Sequence, residues 1–102
     1  MAIKKLTEQE MLDILKKVLT KRQANKQADG TFYRWVTTAE LSPLCGWNKS
    51  KVRYEFDKLV ADKKIERYRM QHGAYIQYSF PAWEGCVRYG EYFKEVPKSQ
   101  LA

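Results

Sequence analysis

Between Leu6 and Leu19 the apolar residues Met11, Leu12, Ile14, Leu15, Val18 and Leu19 recur at the three- and four-residue spacing of one helical face, while Lys16, Lys17 and Thr20 fall on the other. Just ahead, Thr7-Glu8-Gln9-Glu10 has the capping-box form, in which the Thr7 hydroxyl accepts from the Glu10 N–H and the Glu10 carboxylate accepts from the Thr7 N–H. A helix therefore starts at residue 8, with Leu6 and Met11 placed to pack across its first turn. Lys21 to Gly30 reads as a polar, basic helix tail and loop.

The next run, Thr31 to Val36, is rich in β-branched and aromatic residues and predicts one short strand. Thr37-Thr38-Ala39-Glu40 repeats the capping-box spacing and opens a short second helix, whose Ala39, Leu41 and Leu44 are expected to reach the core. Pro43 limits that helix to one or two turns, and Gly46 permits a tight turn after it. Asn48 is a good cap for a third helix, in which Val52, Phe56, Leu59 and Val60 form one buried stripe expected to meet Leu15 or Val18. Its opposite face carries Ser50, Lys51, Tyr54, Asp57, Lys58 and Ala61, with Arg53 on the flank.

From Ile65 to Phe80 the period changes to two, which predicts a hairpin turning at Gln71-His72-Gly73-Ala74. Arg67 and Arg69 then lie on the face opposite Tyr68 and Met70. Ile65 has the wrong parity for this hairpin unless it still belongs to the preceding turn. After Pro81, the residues Trp83, Cys86, Val87, Tyr89, Tyr92, Phe93 and Val96 are too apolar for a solvated tail and read at most as an amphipathic helix, interrupted by Gly85 and Gly90.

Charge sharpens this picture. The 102 residues carry 19 Lys and Arg against 12 Asp and Glu, a net +7, which favours a polyanionic partner. The excess sits in two blocks: residues 1–28 hold seven basic and three acidic side chains, and residues 48–69 hold eight and four. A 44% hydrophobic content with only three prolines and five glycines excludes a disordered or fibrous chain. Apolar runs of two or three residues leave no segment to cross a bilayer, and the acidic residues at 8 and 10 interrupt any secretory leader, so a cytoplasmic protein is expected.

The order helix, strand, short helix, turn, basic helix, hairpin is that of a winged helix-turn-helix domain, and the sequence resembles that superfamily over about residues 7 to 80. The likeness is carried by Thr37-Thr38-Ala39-Glu40-Leu41, by Cys45-Gly46-Trp47-Asn48-Lys49-Ser50-Lys51-Val52, and by Lys58-Leu59-Val60-Ala61-Asp62-Lys63-Lys64-Ile65-Glu66-Arg67. The chain departs from the pattern at Pro43 and at Asp62-Lys63-Lys64, where a glycine often follows the recognition helix. The resemblance implies an α+β fold: a small three-helix domain over residues 1–81 with a two- or three-stranded antiparallel wing. Residues 82–102 form a C-terminal aromatic extension that either packs on the domain or makes a homodimer interface through residues 82–96. It further implies a double-stranded DNA partner and the role of a small bacterial or phage transcriptional regulator, dimeric because one module covers few base pairs. Some members of the superfamily bind proteins or RNA, so a protein-docking winged helix without DNA binding is the alternative.

In helix-turn-helix docking the second helix of the pair enters the major groove. Here its N-terminal half carries Lys49, Ser50, Lys51, Arg53 and Tyr54. Lys51, Lys58, Arg67 and Arg69 suit phosphates, Ser50 and Arg53 suit base edges, and Tyr54 suits a thymine methyl or a phosphate. His72, at the hairpin tip, is a turn residue or a phosphate contact. The helix start at Asn48 adds backbone donors. Asp57 opposes phosphate unless it accepts from cytosine or pairs with Arg53.

Other chemistry has little basis. One histidine without a catalytic neighbour supports no enzyme, and Cys45, His72 and Cys86 lack the spacing of a preformed metal site, so both thiols read as core residues. No glycine-rich phosphate loop is present, so no nucleotide cofactor is expected. Phe32, Tyr33, Trp35, Trp47 and Trp83 are better placed to fill a small core than to stack single-stranded bases.

Overall fold

Local signals set the three helices. In the computed structural model, which describes residues 5–69 and 76–97, Thr7 and Glu10 close both bonds of the capping box at 3.1 and 3.0 Å. Helix α1 (Glu8–Ala24) then buries Met11, Leu15 and Leu19 and half-buries Leu12, Ile14 and Val18, with Leu6 packed against the same cluster.

Residues 31–36 do not make one strand. They divide into β1 (Thr31–Tyr33) and β2 (Val36–Thr37), which belong to different sheets, with Arg34 and Trp35 at the break. Such a break strands backbone acceptors, and each must find a partner. Arg22, from α1, donates to the carbonyls of Tyr33 and Trp35 at 3.2 and 2.6 Å. The same guanidinium pairs with Glu40 at the start of α2 (Thr38–Cys45), where Thr37 repeats the capping box. Burial opposes ionisation of Glu40, but the Thr37 N–H and the Arg22 charge together hold its carboxyl below the usual range.

Helix α2 accommodates Pro43 and ends at Gly46, whose φ of +70° is the left-handed cap conformation that glycine adopts without strain. Only Leu41 and Cys45, at i and i+4, are buried from this helix. Ala39 and Leu44, expected in the core, are exposed, because an eight-residue helix presents a single narrow stripe to its neighbours. Helix α3 (Lys49–Ala61) starts as expected: the Asn48 side chain accepts from the Lys51 N–H at 2.8 Å. Val52, Phe56 and Leu59 are buried, and Phe56 joins Leu15 in one cluster, its ring 5.4 Å from Tyr78. At its end the Lys63 N–H bonds Val60 O and the Lys64 N–H bonds Leu59 O, a Schellman closure. Lys63 takes φ +61° there, the conformation a glycine would adopt more cheaply.

The first sheet has the order β2-β4-β3, antiparallel, with β3 (Glu66–Arg69) and β4 (Ile76–Ser79) forming the expected hairpin arms. Ile65 is buried just before β3, outside the strand, which resolves its parity. All four β4 residues are buried. Tyr78 faces α3, whereas Gln77 accepts from the Tyr33 hydroxyl at 3.2 Å and Ser79 from Arg34 Nε at 3.2 Å on the opposite side.

The second sheet has the order β1-β6-β5 and overturns the helical reading of residues 82–96: β5 (Cys86–Tyr89) and β6 (Tyr92–Glu95) are antiparallel strands. Gly90, at φ +59°, opens the two-residue connection between paired Tyr89 and Tyr92, the glycine-first pattern of a type II′ hairpin turn. Phe93 is fully buried and packs on Phe32 and Trp83, the latter also donating from Nε1 to Gln23 at 2.9 Å. Val87, Tyr89 and Tyr92 remain exposed.

Between the sheets lies Arg34, 4% exposed. Its guanidinium is 4.4 Å from the Trp35 ring and 5.0 Å from the Phe93 ring, donates to Phe80 O at 2.8 Å, and pairs with Glu66, which Arg88 also approaches at 3.5 Å. Burying a charge requires a partner and hydrogen bonds, and Arg34 has the Glu66 carboxylate and bonds from Nε and Nη2 to Ser79 and Phe80. No helix among the described residues is long and apolar enough to cross a membrane.

Candidate nucleic-acid interface

With Val52, Phe56 and Leu59 anchored inward, helical geometry turns Lys49, Ser50, Arg53, Tyr54 and Lys58 outward, and all five are exposed. Tyr54 is 64% exposed, and Lys58 Nζ lies 4.4 Å from the centre of its ring. The face is less purely cationic than its residue types suggest. Glu55, half-buried, stands 3.6 Å from Lys51 Nζ and 3.4 Å from Lys58 Nζ. Lys51 is itself half-buried, its ammonium 5.0 Å from the Trp47 ring centre. Lys49 and Arg53 have no carboxylate partner among the described residues.

Asp57 is bound internally, but not by Arg53. It accepts from the Tyr78 hydroxyl at 2.7 Å and from Arg67 Nη1 at 3.2 Å. The reason is register: Arg67 pairs with Tyr78 across β3 and β4, so both project from one face of the first sheet onto the same turn of α3. Burial, then the hydrogen bond and charge of Asp57, push the Tyr78 hydroxyl well above the ordinary tyrosine range. The acid that would repel phosphate is thereby engaged, and Arg67 is fixed beside α3 as part of the same unit.

Seven of the nine sequence-chosen residues, Lys49, Ser50, Lys51, Arg53, Tyr54, Lys58 and Arg67, are thus gathered on α3 and the adjoining strand. Arg69 lies in β3, opposite Ile76, but its side chain falls outside the described residues, as does the whole of His72. Among the described residues no group of three His, Cys, Asp or Glu could hold a metal ion. Cys45 is fully buried and Cys86 half-buried, where burial and then Glu95 raise its thiol pKa.

Sequence reasoning missed the Tyr78-Asp57-Arg67 link. The available signal was Asp57 itself, an acid on a basic helix face with a hairpin arginine ten residues later. It also missed Arg34, whose position inside an aromatic and β-branched run was the clue. Compared with protein-family models, with characterised proteins and with solved structures, the chain matches none of them.

Proposed function

We propose that residues 8–79 act as a winged helix-turn-helix module that binds duplex DNA, α3 entering the major groove and the β3–β4 hairpin lying along the flanking backbone as the wing. The observation that carries the reading is the outward face of α3. Lys49, Ser50, Arg53 and Tyr54 are exposed together on a helix whose other face is locked by Val52, Phe56 and Leu59. Arg53 and Ser50 are the base-reading groups, Lys49 and Lys58 the phosphate contacts, and Tyr54 stands beside them for a methyl or a phosphate. Arg67 positions the wing against α3 through Asp57 and keeps its remaining guanidinium donors for the backbone. In this reading the protein is a small transcriptional regulator, and a homodimer sets the half-site spacing.

A binding selection on randomised duplexes, repeated at low and moderate salt, tests it. Arg53→Ala should change the preferred sequence, whereas Lys49→Ala should weaken all duplexes alike and reduce the salt slope by about one. If both variants bind every duplex as the parent does, α3 is not the reading element. Docking of a protein partner is the second reading, favoured by Leu44: it is 47% exposed and lines a groove with Val18 and Pro43, beside Lys17 and Lys21.

A further inference from the structure

Five large apolar side chains are exposed among the described residues, Leu44, Tyr54, Val87, Tyr89 and Tyr92, and three of the five share one surface. Cross-strand register explains how. Tyr33, Tyr92 and Tyr89 are paired partners in β1, β6 and β5, so one row of tyrosines crosses the second sheet, with Thr31, Lys94 and Val87 as the neighbouring row on the same face. The rings of Tyr33 and Tyr92 meet edge-on at 5.7 Å, and Lys94 Nζ lies 5.3 Å from the centre of Tyr89. The inner face already takes Phe32 and Phe93, so the core does not need Tyr89 and Tyr92, while Tyr33, half-buried, is held by its bond to Gln77.

Beside the row lies a cleft of about 390 Å³ walled by Tyr33 and Tyr92 and bordered by Arg22, Asn25 and Gln27. The aromatic wall gives an unstacked nucleobase a π-face to stack on, and Asn25 Oδ1 and Gln27 Nε2 offer an acceptor and a donor to a base edge, while the Arg22 guanidinium is committed to Tyr33 O, Trp35 O and Glu40 and serves as a wall. Among the described residues no carboxylate lines the cleft, which suits an anionic chain. We infer that this face of the second sheet binds single-stranded nucleic acid, with bases stacked on Tyr92 and Tyr89 and Lys94 beside the backbone. The site is separate from α3 and does not depend on the duplex reading. Asp29 offsets part of the Lys94 charge, so stacking supplies most of the affinity and the salt dependence is shallow. A proline-rich peptide would also accept tyrosine rings, but it has no use for the cation and is the less suited occupant.

The test is fluorescence anisotropy of labelled oligo(dT) ten-mers with the full chain, from about 50 to about 200 mM salt. Tyr92→Leu and Tyr89→Ser should each weaken binding about tenfold, while Tyr92→Phe stays within about twofold and Arg53→Ala leaves it unchanged. Circular dichroism checks each variant's fold, and Tyr89, 61% exposed, carries the test if Tyr92→Leu does not fold. Unchanged binding in both tyrosine variants overturns the inference and leaves general basic charge as the cause. So does a polyproline peptide that shifts the amide resonances of residues 87–94 where oligo(dT) does not. A dimer in sedimentation that Tyr89→Ser dissociates overturns it as well, by assigning the face to a second copy.

Discussion

Each of the two sheets takes one short strand from residues 31–37 and one hairpin from later in the chain, and in each the early strand pairs with the second arm of the hairpin. Their burial differs. Every residue of β4, the central strand of the first sheet, is buried, whereas β5 of the second sheet leaves Val87, Arg88 and Tyr89 exposed. The first sheet is covered on both sides, by α3 through Tyr78 and by Tyr33 and Arg34 through Gln77 and Ser79. The second is covered on the side of Phe32 and Phe93, against Trp83 and Arg34. The covered central strand of the first sheet holds α3 and its neighbours in place and leaves Arg67 exposed only at its β3 edge, whereas the open face of the second sheet leaves a whole row of side chains for a ligand.

The largest expected effect asks whether the second sheet belongs to the same cooperative unit. Phe56 and Phe93 are both fully buried, one behind α3 and the other behind β6. Each to alanine should cost about 3 to 5 kcal/mol. In urea, far-ultraviolet dichroism and tryptophan fluorescence should report one shared transition, shifted alike by either change, because Arg34 ties Phe93 to Glu66 and Phe80. If Phe93→Ala instead produces an early transition that leaves the helical signal intact, the second sheet is an appendage and the comparison changes character.

The first sheet was the more legible in the sequence. Ile76, Tyr78 and Phe80 alternate cleanly, and Thr7, Thr37 and Asn48 marked three helix starts by local chemistry alone. The second sheet was hidden because Trp83, Cys86, Val87 and Tyr89 fall at spacings of three, one and two, which fit part of a helical stripe as well as a strand. The Tyr89-Gly90-Glu91-Tyr92 turn was the missed cue. The candidate interface was legible on α3, where side-chain direction follows from helical period. It was not legible at Asp57, whose partner depended on a cross-strand register that no local pattern specifies.

A smaller effect distinguishes the sheets by pH. Tyr78, at the α3 contact of the first sheet, has its hydroxyl pKa raised by burial and by Asp57, while Tyr89 and Tyr92 stand exposed on the second. A raised pKa means the folded state keeps a proton that the unfolded chain gives up near pH 10. Stability from this group is therefore complete below that pH and lost as pH rises above it. Tyr78→Phe should cost about 1 kcal/mol at neutral pH and flatten the alkaline decline, as measured by urea midpoints from pH 7 to pH 11. An equal decline in parent and variant would move the alkaline sensitivity elsewhere.

The smallest effect concerns the joint from which the first hairpin departs. Lys63 holds φ +61° to complete the Schellman closure of α3, and a left-handed conformation costs a non-glycine residue about 1 to 2 kcal/mol. Glycine avoids that cost but adds freedom to the unfolded chain, so Lys63→Gly should stabilise the protein by about 0.5 to 1 kcal/mol. No ion pair of Lys63 opposes the change among the described residues. The contrast is Gly90, the positive-φ residue of the turn between β5 and β6, where a side-chain carbon would meet nothing within 4 Å. Gly90→Ala meets no obstruction there, so a loss of stability reads backbone strain in excess of the freedom that alanine removes from the unfolded chain. Thermal melts of the two variants should move in opposite directions; a stabilised Gly90→Ala, or a destabilised Lys63→Gly, would mean that the two turns are not governed by backbone conformation.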